Sequence, residues 1–286
     1  MERTANLARL YEEQGYLFPQ PALTTEEADH YRGEVEDLLA NHGETGREVL
    51  RHKGHVALAW LAELVRHPAI IEAVSHILGP DILWRTTNFF IKEPRSPGFV
   101  SWHQDATYWG LSSDEMLTAW VALSDSRPEN GCMGFVPGSH QLRQVPHHDT
   151  FDPDNLLTRG QEIEVEVDPG SVVDVVLRAG EMSLHHVLMV HGSGPNASDG
   201  PRIGVAIRYM PTRIRQLAPH RNTATLVNGI NTFGHFELER QPLSNMDPAQ
   251  LAYKVSSKIW TMPSIWAAVM SLWRTARMVP SSKDIN

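Results

Sequence analysis

The sequence predicts a mainly β protein of the sandwich or jelly-roll kind, placed behind a helical N-terminal layer. Three observations carry this. Up to about residue 80, apolar residues recur at helical spacing between capping signals. From Ile82 the texture changes to short apolar or alternating runs bounded by Gly, Pro, Asn and Asp. No repeat, low-complexity tract or linker divides the 286 residues, a length that one large core can serve. The expected organisation is a single domain over 1–286, with a helical layer at 1–80, a β core at 81–212 and a C-terminal extension at 213–286.

Leu7, Leu10 and Tyr11 lie at helical spacing. Thr24-Thr25-Glu26-Glu27 offers a capping box ahead of Ala28, Tyr31, Val35, Leu38 and Leu39, a helix that Gly43 is expected to close. Two further helices are expected at His55–Arg66 and Ala69–Leu78, punctuated by Pro68 and ended by Gly79-Pro80. Strands are expected at Ile82–Lys92, Leu117–Leu123, Met133–Val136, Glu162–Val167, Ser171–Val176, Met182–Val190 and Ile203–Met210. A core of such short strands closes over a cavity and carries its chemistry near one mouth. The C-terminal run with Trp260, Trp266 and Trp273 is expected to pack as a helix on its own domain, with a lid or a subunit contact as alternatives.

A formal net charge of -9 and the lack of any long Lys/Arg run argue against nucleic acid or an anionic membrane as partner, and in favour of a small molecule. Cys132 is the single cysteine, so neither an intrachain disulfide nor a cysteine-based metal site can form. No apolar run is long enough to span a bilayer, and the N-terminus lacks the apolar stretch of a signal peptide. The expectation is a soluble cytoplasmic protein.

Fifteen histidines raise the question of metal binding, and spacing must select among them. In SWHQDATYW, His103 and Asp105 are separated by one residue, so on an extended strand both side chains leave one face and can meet one ion. Downstream, HGSGPN places His191 at the end of the apolar run Met182–Val190, where a strand gives way to a loop. Two imidazoles and a carboxylate form a facial triad that leaves positions open on iron(II) for a chelating co-substrate and dioxygen. Arg202 follows on the next strand, placed to pair with the far carboxylate of a five-carbon diacid, and Ser193 offers a hydroxyl beside it.

Five motifs in order, NFFIKEP, WHQD, WVALSD, ENGCMGFVPGSH and HGSGPN with Arg202, resemble the phytanoyl-CoA dioxygenase family of iron(II)/2-oxoglutarate oxygenases over residues 80–212. The resemblance implies a double-stranded β-helix, the jelly roll also seen in cupins. It implies His103, Asp105 and His191 as iron ligands, Arg202 and Ser193 gripping 2-oxoglutarate, and Trp120 and Asn88 lining the co-substrate pocket. It also implies the reaction: dioxygen is consumed, 2-oxoglutarate is decarboxylated to succinate, and an unactivated carbon of the substrate is hydroxylated. Relatives that halogenate have a small residue in place of the carboxylate, so Asp105 favours oxygen transfer. Desaturation, epoxidation and cyclisation use the same triad and stay open.

His185 shares a face with His191 if Met182–Val190 is one strand, which makes it a candidate substrate contact or a core histidine. His140 is expected in a turn or supporting a ligand. Tyr108, Trp109, Arg208 and Arg213 complete the candidate substrate residues, each with a packing or solvated role as the alternative. The segment RIGVAIRYMPT also resembles relatives acting on amino acids or carrier-bound acyl groups, so the substrate could be a small polar metabolite or a CoA- or carrier-bound acyl chain. Two other classes remain: a non-catalytic cupin-like metal-binding protein and a zinc hydrolase, neither of which needs Arg202 at this distance.

Overall fold

A computed structural model describes residues 2–217 and 223–257. Its first part is helical except for one strand: α1 (Glu2–Gln14), β1 (Tyr16–Pro21), α2 (Thr25–Arg51), α3 (Ala59–Leu64) and α4 (Pro68–Leu78). The Thr24 hydroxyl accepts from the Glu27 amide, and the Glu27 carboxylate accepts from the Thr24 amide, so both orphan donors of the first turn of α2 are satisfied. Gly43 does not close this helix. It kinks it, at φ 47, and the helix resumes to Arg51. The expected helix His55–Arg66 is shorter, a single tight turn at Gly54–Val56 followed by α3.

The β core comprises β2 (Ile82–Lys92), β3 (Val100–His103), β4 (Leu117–Ala122), β5 (Met133–Phe135), β6 (His147–Asp149), β7 (Gln161–Ile163), β8 (Val173–Val175), β9 (Glu181–His186), β10 (His191–Ser193), β11 (Arg202–Pro211), β12 (Thr223–Asn228) and β13 (Glu237–Leu238). A short helix, α5 (Pro248–Ser257), follows. One sheet has the order β1-β9-β4-β11-β2-β12-β13, a second the order β3-β10-β5-β8, and β6 pairs with β7 alone. The two larger sheets face each other as a jelly roll, with Trp120, Phe135, Met133, Val175 and Ala206 packed between them.

Period-two alternation explains why the large sheet is buried on both faces. Ala119 and Val121 of β4, Met182 and Leu184 of β9, and Ile203, Val205 and Ile207 of β11 turn outward, onto Tyr31, Val35, Leu61, Leu64, Ile70 and Val74 of the helices. The Tyr209 hydroxyl donates to the Val65 carbonyl at 2.8 Å and ties sheet to helical layer. The alternate residues, Thr118, Trp120, Ser183, His185, Arg202, Ala206 and Arg208, turn the other way and are buried between the sheets.

The expected strand Met182–Val190 is two elements. The chain leaves the large sheet at His186, turns, and enters the small sheet at His191. Glu162–Val167 is reduced to β7, and β1, β6, β12 and β13 were not expected. Residues 258–286, with Trp260, Trp266 and Trp273, lie outside the described residues. Among the described residues no helix is long and apolar enough to cross a membrane.

Candidate metal centre

His103 ends β3 and His191 begins β10, and the two are direct cross-strand partners in the small sheet. Their rings lie with centroids 4.1 Å apart. Asp105 is not on the strand with His103 as the spacing alone implied; it opens a tight helical turn, Asp105–Tyr108, that carries its carboxylate back toward the histidines. One ligand atom from each of His103, Asp105 and His191 lies within 4.8 Å of the others, and all three residues are buried.

Hydrogen bonds settle which ring atoms face inward. His103 Nδ1 donates to the Ser101 carbonyl at 2.9 Å, and His191 Nδ1 donates to the Met189 carbonyl at 3.0 Å. Each ring is thereby held in the tautomer that leaves Nε2 with a lone pair, the usual way in which a metal-binding imidazole is oriented. His103 Nε2 is buried with no hydrogen-bond partner. Burial pushes His103 down to about 3, helped by the neighbouring His191, and burial lowers His191 as well, so both offer neutral imidazole. For Asp105 burial acts the other way, but Arg208, His191 and His103 overcome it and hold the carboxyl well below its ordinary range. Its Oδ2 accepts from the Thr118 hydroxyl at 2.7 Å, and Oδ1 sits 3.8 Å from His103 Nε2. An orphaned buried nitrogen, two fixed tautomers and a charged carboxylate fit a transition metal of intermediate softness.

A narrow inner cavity opens beside this cluster, lined by Trp120, His185, Ser193, Arg202 and Arg208 among others. Arg202 is buried at 1 % exposure, its Nη1 donates to the Gly131 carbonyl at 2.9 Å, and its Nε has no partner. Burial pushes the guanidinium down to about 10, still charged at neutral pH. It stands 5.2 Å above the Trp120 ring, within cation–π range. Trp120 in turn lies so close to Gly204 that a Cβ there would meet the ring at 2.0 Å. His185 looks into the same cavity from the opposite sheet to His191. Its Nε2 is buried without a hydrogen-bond partner, 4.0 Å from Asp105 Oδ2.

A second, outer cavity of about 280 Å³ adjoins the cluster, lined in part by Asn88, Phe89, His103, Asp105, Trp109 and Arg208. Asn88, expected with the co-substrate residues, thus lines the outer space. Its amide donates to the Arg51 carbonyl and faces His52 Nδ1 at 3.0 Å, while its carbonyl accepts from Arg208 Nη1 at 2.5 Å. Arg208 borders both cavities and stacks 5.5 Å from the Trp109 ring. Arg213 belongs to neither; it is half exposed and pairs with Glu115 at 2.9 Å. The Tyr108 side chain lies outside the described part of the structure. His140 is held on the Glu12 carbonyl at 3.0 Å, away from the triad.

Sequence reasoning passed over Lys92, Thr118 and Gly204. Lys92 left a signal, a lone cation in the otherwise apolar run FFIK, which reads as a buried charge in need of partners. Thr118 shares a face with Trp120 by simple alternation. Nothing in the sequence distinguishes Gly204 from other strand glycines.

The family model described as phytanoyl-CoA dioxygenase (PhyH) matches residues 11–204. A solved structure titled "non-heme monooxygenase; ThoJ apo" superposes with a TM-score of 0.80 at 36% identity, covering 95% of this chain and 100% of that one. A probable alpha-ketoglutarate-dependent hypophosphite dioxygenase of Stutzerimonas stutzeri is 31% identical over 171 residues, 59% of each chain. An ectoine dioxygenase of Nocardia farcinica is 27% identical over 225 residues, 70% of this chain and 75% of that one.

Proposed function

Since the chain belongs to the phytanoyl-CoA dioxygenase family, we propose that it is an iron(II)- and 2-oxoglutarate-dependent oxygenase that hydroxylates an unactivated C–H bond of a small molecule. The observation that carries this reading is the convergence of three metal-competent atoms within 4.8 Å, beside a cavity walled by a buried, charged Arg202. A zinc hydrolase or a storage protein has no use for that guanidinium.

His103, Asp105 and His191 would hold the metal, and Arg202 with Ser193 would take the far carboxylate of 2-oxoglutarate. Iron bound there would supply the activation of dioxygen, with one oxygen atom entering the succinate that forms as 2-oxoglutarate loses carbon dioxide and the other entering the substrate. The protein's own residues set the stage. The backbone carbonyls of Ser101 and Met189 keep the two imidazoles aimed and neutral. Arg208 and Thr118 keep Asp105 ionised and still, so it remains a ligand and leaves no room for an added anion in its place. Trp120 backs Arg202, and the apolar walls of the outer cavity, Phe89, Phe90 and Ile91, exclude water from the reacting carbon.

The outer cavity takes the substrate. Its volume, about 280 Å³, suits a small metabolite or the reacting end of a carrier- or CoA-bound acyl group. Asn88, Trp109 and Arg208 are its polar and aromatic contacts. We read the chain as a single oxygenase domain, and the solitary Cys132 suits a cytoplasmic setting. The test is succinate formation from 2-oxoglutarate with iron(II) and ascorbate in air, alongside a mass-spectrometric screen for products gaining one oxygen atom. The reading requires oxygen-dependent succinate; none across a broad substrate panel refutes it.

A further inference from the structure

We propose that the substrate carries an oxyanion, a carboxylate or a phosphate, and that Arg47 and Arg51 bind it at the mouth of the outer cavity while the carbon to be hydroxylated lies at the triad end. The inference rests on the oxygenase reading above and names the class of substrate that this site takes.

Charge in the wall of the outer cavity is one-sided. Arg47, Arg51 and Arg208 line it, and the single acid among its described lining residues is Asp105, a metal ligand. Asp105 is already answered by Arg208, which donates to both carboxylate oxygens and, through Nη1, to the Asn88 carbonyl. Arg47 and Arg51 leave the wall with an excess of positive charge, in a chain whose formal net charge is -9. A local field of the opposite sign to the whole draws an anion to this opening. Both arginines are about half exposed whereas His103 and Asp105 are buried, so the cavity runs from the arginines at its mouth to the metal cluster at its floor.

The two arginines sit four residues apart at the end of α2 and so share a face of the helix. A helix C-terminus ordinarily disfavours an anion, because its last carbonyls carry partial negative charge. Here those carbonyls are occupied. Lys254 Nζ donates to Glu48 O at 2.8 Å and to Val49 O at 2.6 Å, and the Asn88 amide donates to Arg51 O. The guanidiniums do have acidic neighbours: Glu93 and Glu44 lie 3.2 Å and 3.7 Å from Arg47, and Glu48 lies 2.9 Å from Arg51. These carboxylates stand off the cavity wall and are half exposed or more. Exposed pairs of this kind contribute little, so a ligand that reaches both arginines displaces them.

The alternative is a pair of solvated helix arginines with no ligand. The full chain, loaded with Mn(II), free of oxygen and saturated with 2-oxoglutarate so that the Arg202 site is filled, separates the two when titrated with hexanoate, hexyl phosphate and neutral hexanamide. Calorimetry reads affinity, and relaxation of the probes' protons by manganese reads orientation. At least one anion should bind about tenfold or more tightly than hexanamide, and the tighter anion distinguishes carboxylate from phosphate. Its terminal methyl protons should relax faster than those beside the charged group. Arg47→Gln/Arg51→Gln should erase the preference. Should that variant fail to fold, salt decides: raising sodium chloride from roughly 50 to 500 mM should weaken the anion and spare the amide. No binding of either anion, equal binding of hexanamide, a preference that survives the double variant or the salt, or the reverse orientation overturns the proposal. A chain that does not bind 2-oxoglutarate on Mn(II) overturns the oxygenase reading as well; one that binds it but shows no preference for the anions loses only this inference.

Discussion

Arg208 clasps Asp105 by both carboxylate oxygens, Nη2 donating to Oδ1 at 2.8 Å and Nε to Oδ2 at 3.3 Å. Both groups are buried, so the pair is a charge-assisted fork in a dry site. Removing one partner from such a pair strands the other. Arg208→Met should therefore destabilise the metal-free protein by roughly 3–5 kcal/mol, as breaking a buried ion pair typically does. Mn(II) should then stabilise the variant more than it stabilises wild type, because the ion replaces the lost positive charge. Urea unfolding with and without Mn(II) measures both. Unchanged stability without metal would show that Asp105 does not depend on Arg208.

Gly204 governs Arg202 at one remove. A Cβ at this position would come within 2.0 Å of the Trp120 ring, and that ring backs the Arg202 guanidinium. Gly204→Ala should force the indole aside at a cost of about 1–3 kcal/mol. Since the triad is built from other elements, metal affinity should hold while the concentration of 2-oxoglutarate needed for half-maximal succinate formation rises. Equal damage to metal affinity would place Trp120 closer to the metal than the structure does.

Acid should destabilise the protein earlier than its carboxylates alone would dictate. Burial pushes both His55 and His186 down to about 4. His55 Nε2 donates to Glu239 Oε2 at 2.9 Å as a neutral ring, while Lys53 is the true counter-ion of that carboxylate. With folded values below the ordinary 6.5, the unfolded chain binds these protons first. Their stabilisation is thus complete above pH 6.5 and is lost as pH falls from 6.5 through about 4. Urea midpoints of the metal-free protein at intervals across that window should decline steadily, and His55→Gln should flatten the decline. A level profile down to pH 4.5 would contradict the assignment.

Long buried strands were legible in the sequence. Ile82–Lys92 agrees at both ends, because a stretch rich in β-branched and aromatic residues lies between the breakers Gly79-Pro80 and Glu93-Pro94. Tyr16–Pro21 escaped because its two prolines argue against a strand, and it lies at a sheet edge where proline is tolerated. His147–Asp149 is too short and polar to leave a pattern. Hydrophobicity could not show that Met182–Val190 changes sheets midway, since both halves are buried. For the same reason His185 reaches the inner cavity from across the barrel rather than along a shared strand face. Spacing singled out His103, Asp105 and His191, which the fold brings together. The Arg208 fork that keeps Asp105 charged and still joins residues 103 positions apart, a contact that a single sequence does not display.

The central claim is that one diacid is shared between a metal on the triad and Arg202. Anaerobic calorimetric titration of 2-oxoglutarate into the protein, with and without iron(II), tests it most directly. Binding should require the metal, disappear in His103→Ala, and weaken about tenfold or more in Arg202→Met, as expected for loss of a charge-assisted pair. Equal affinity with and without iron, or full affinity in Arg202→Met, would contradict it.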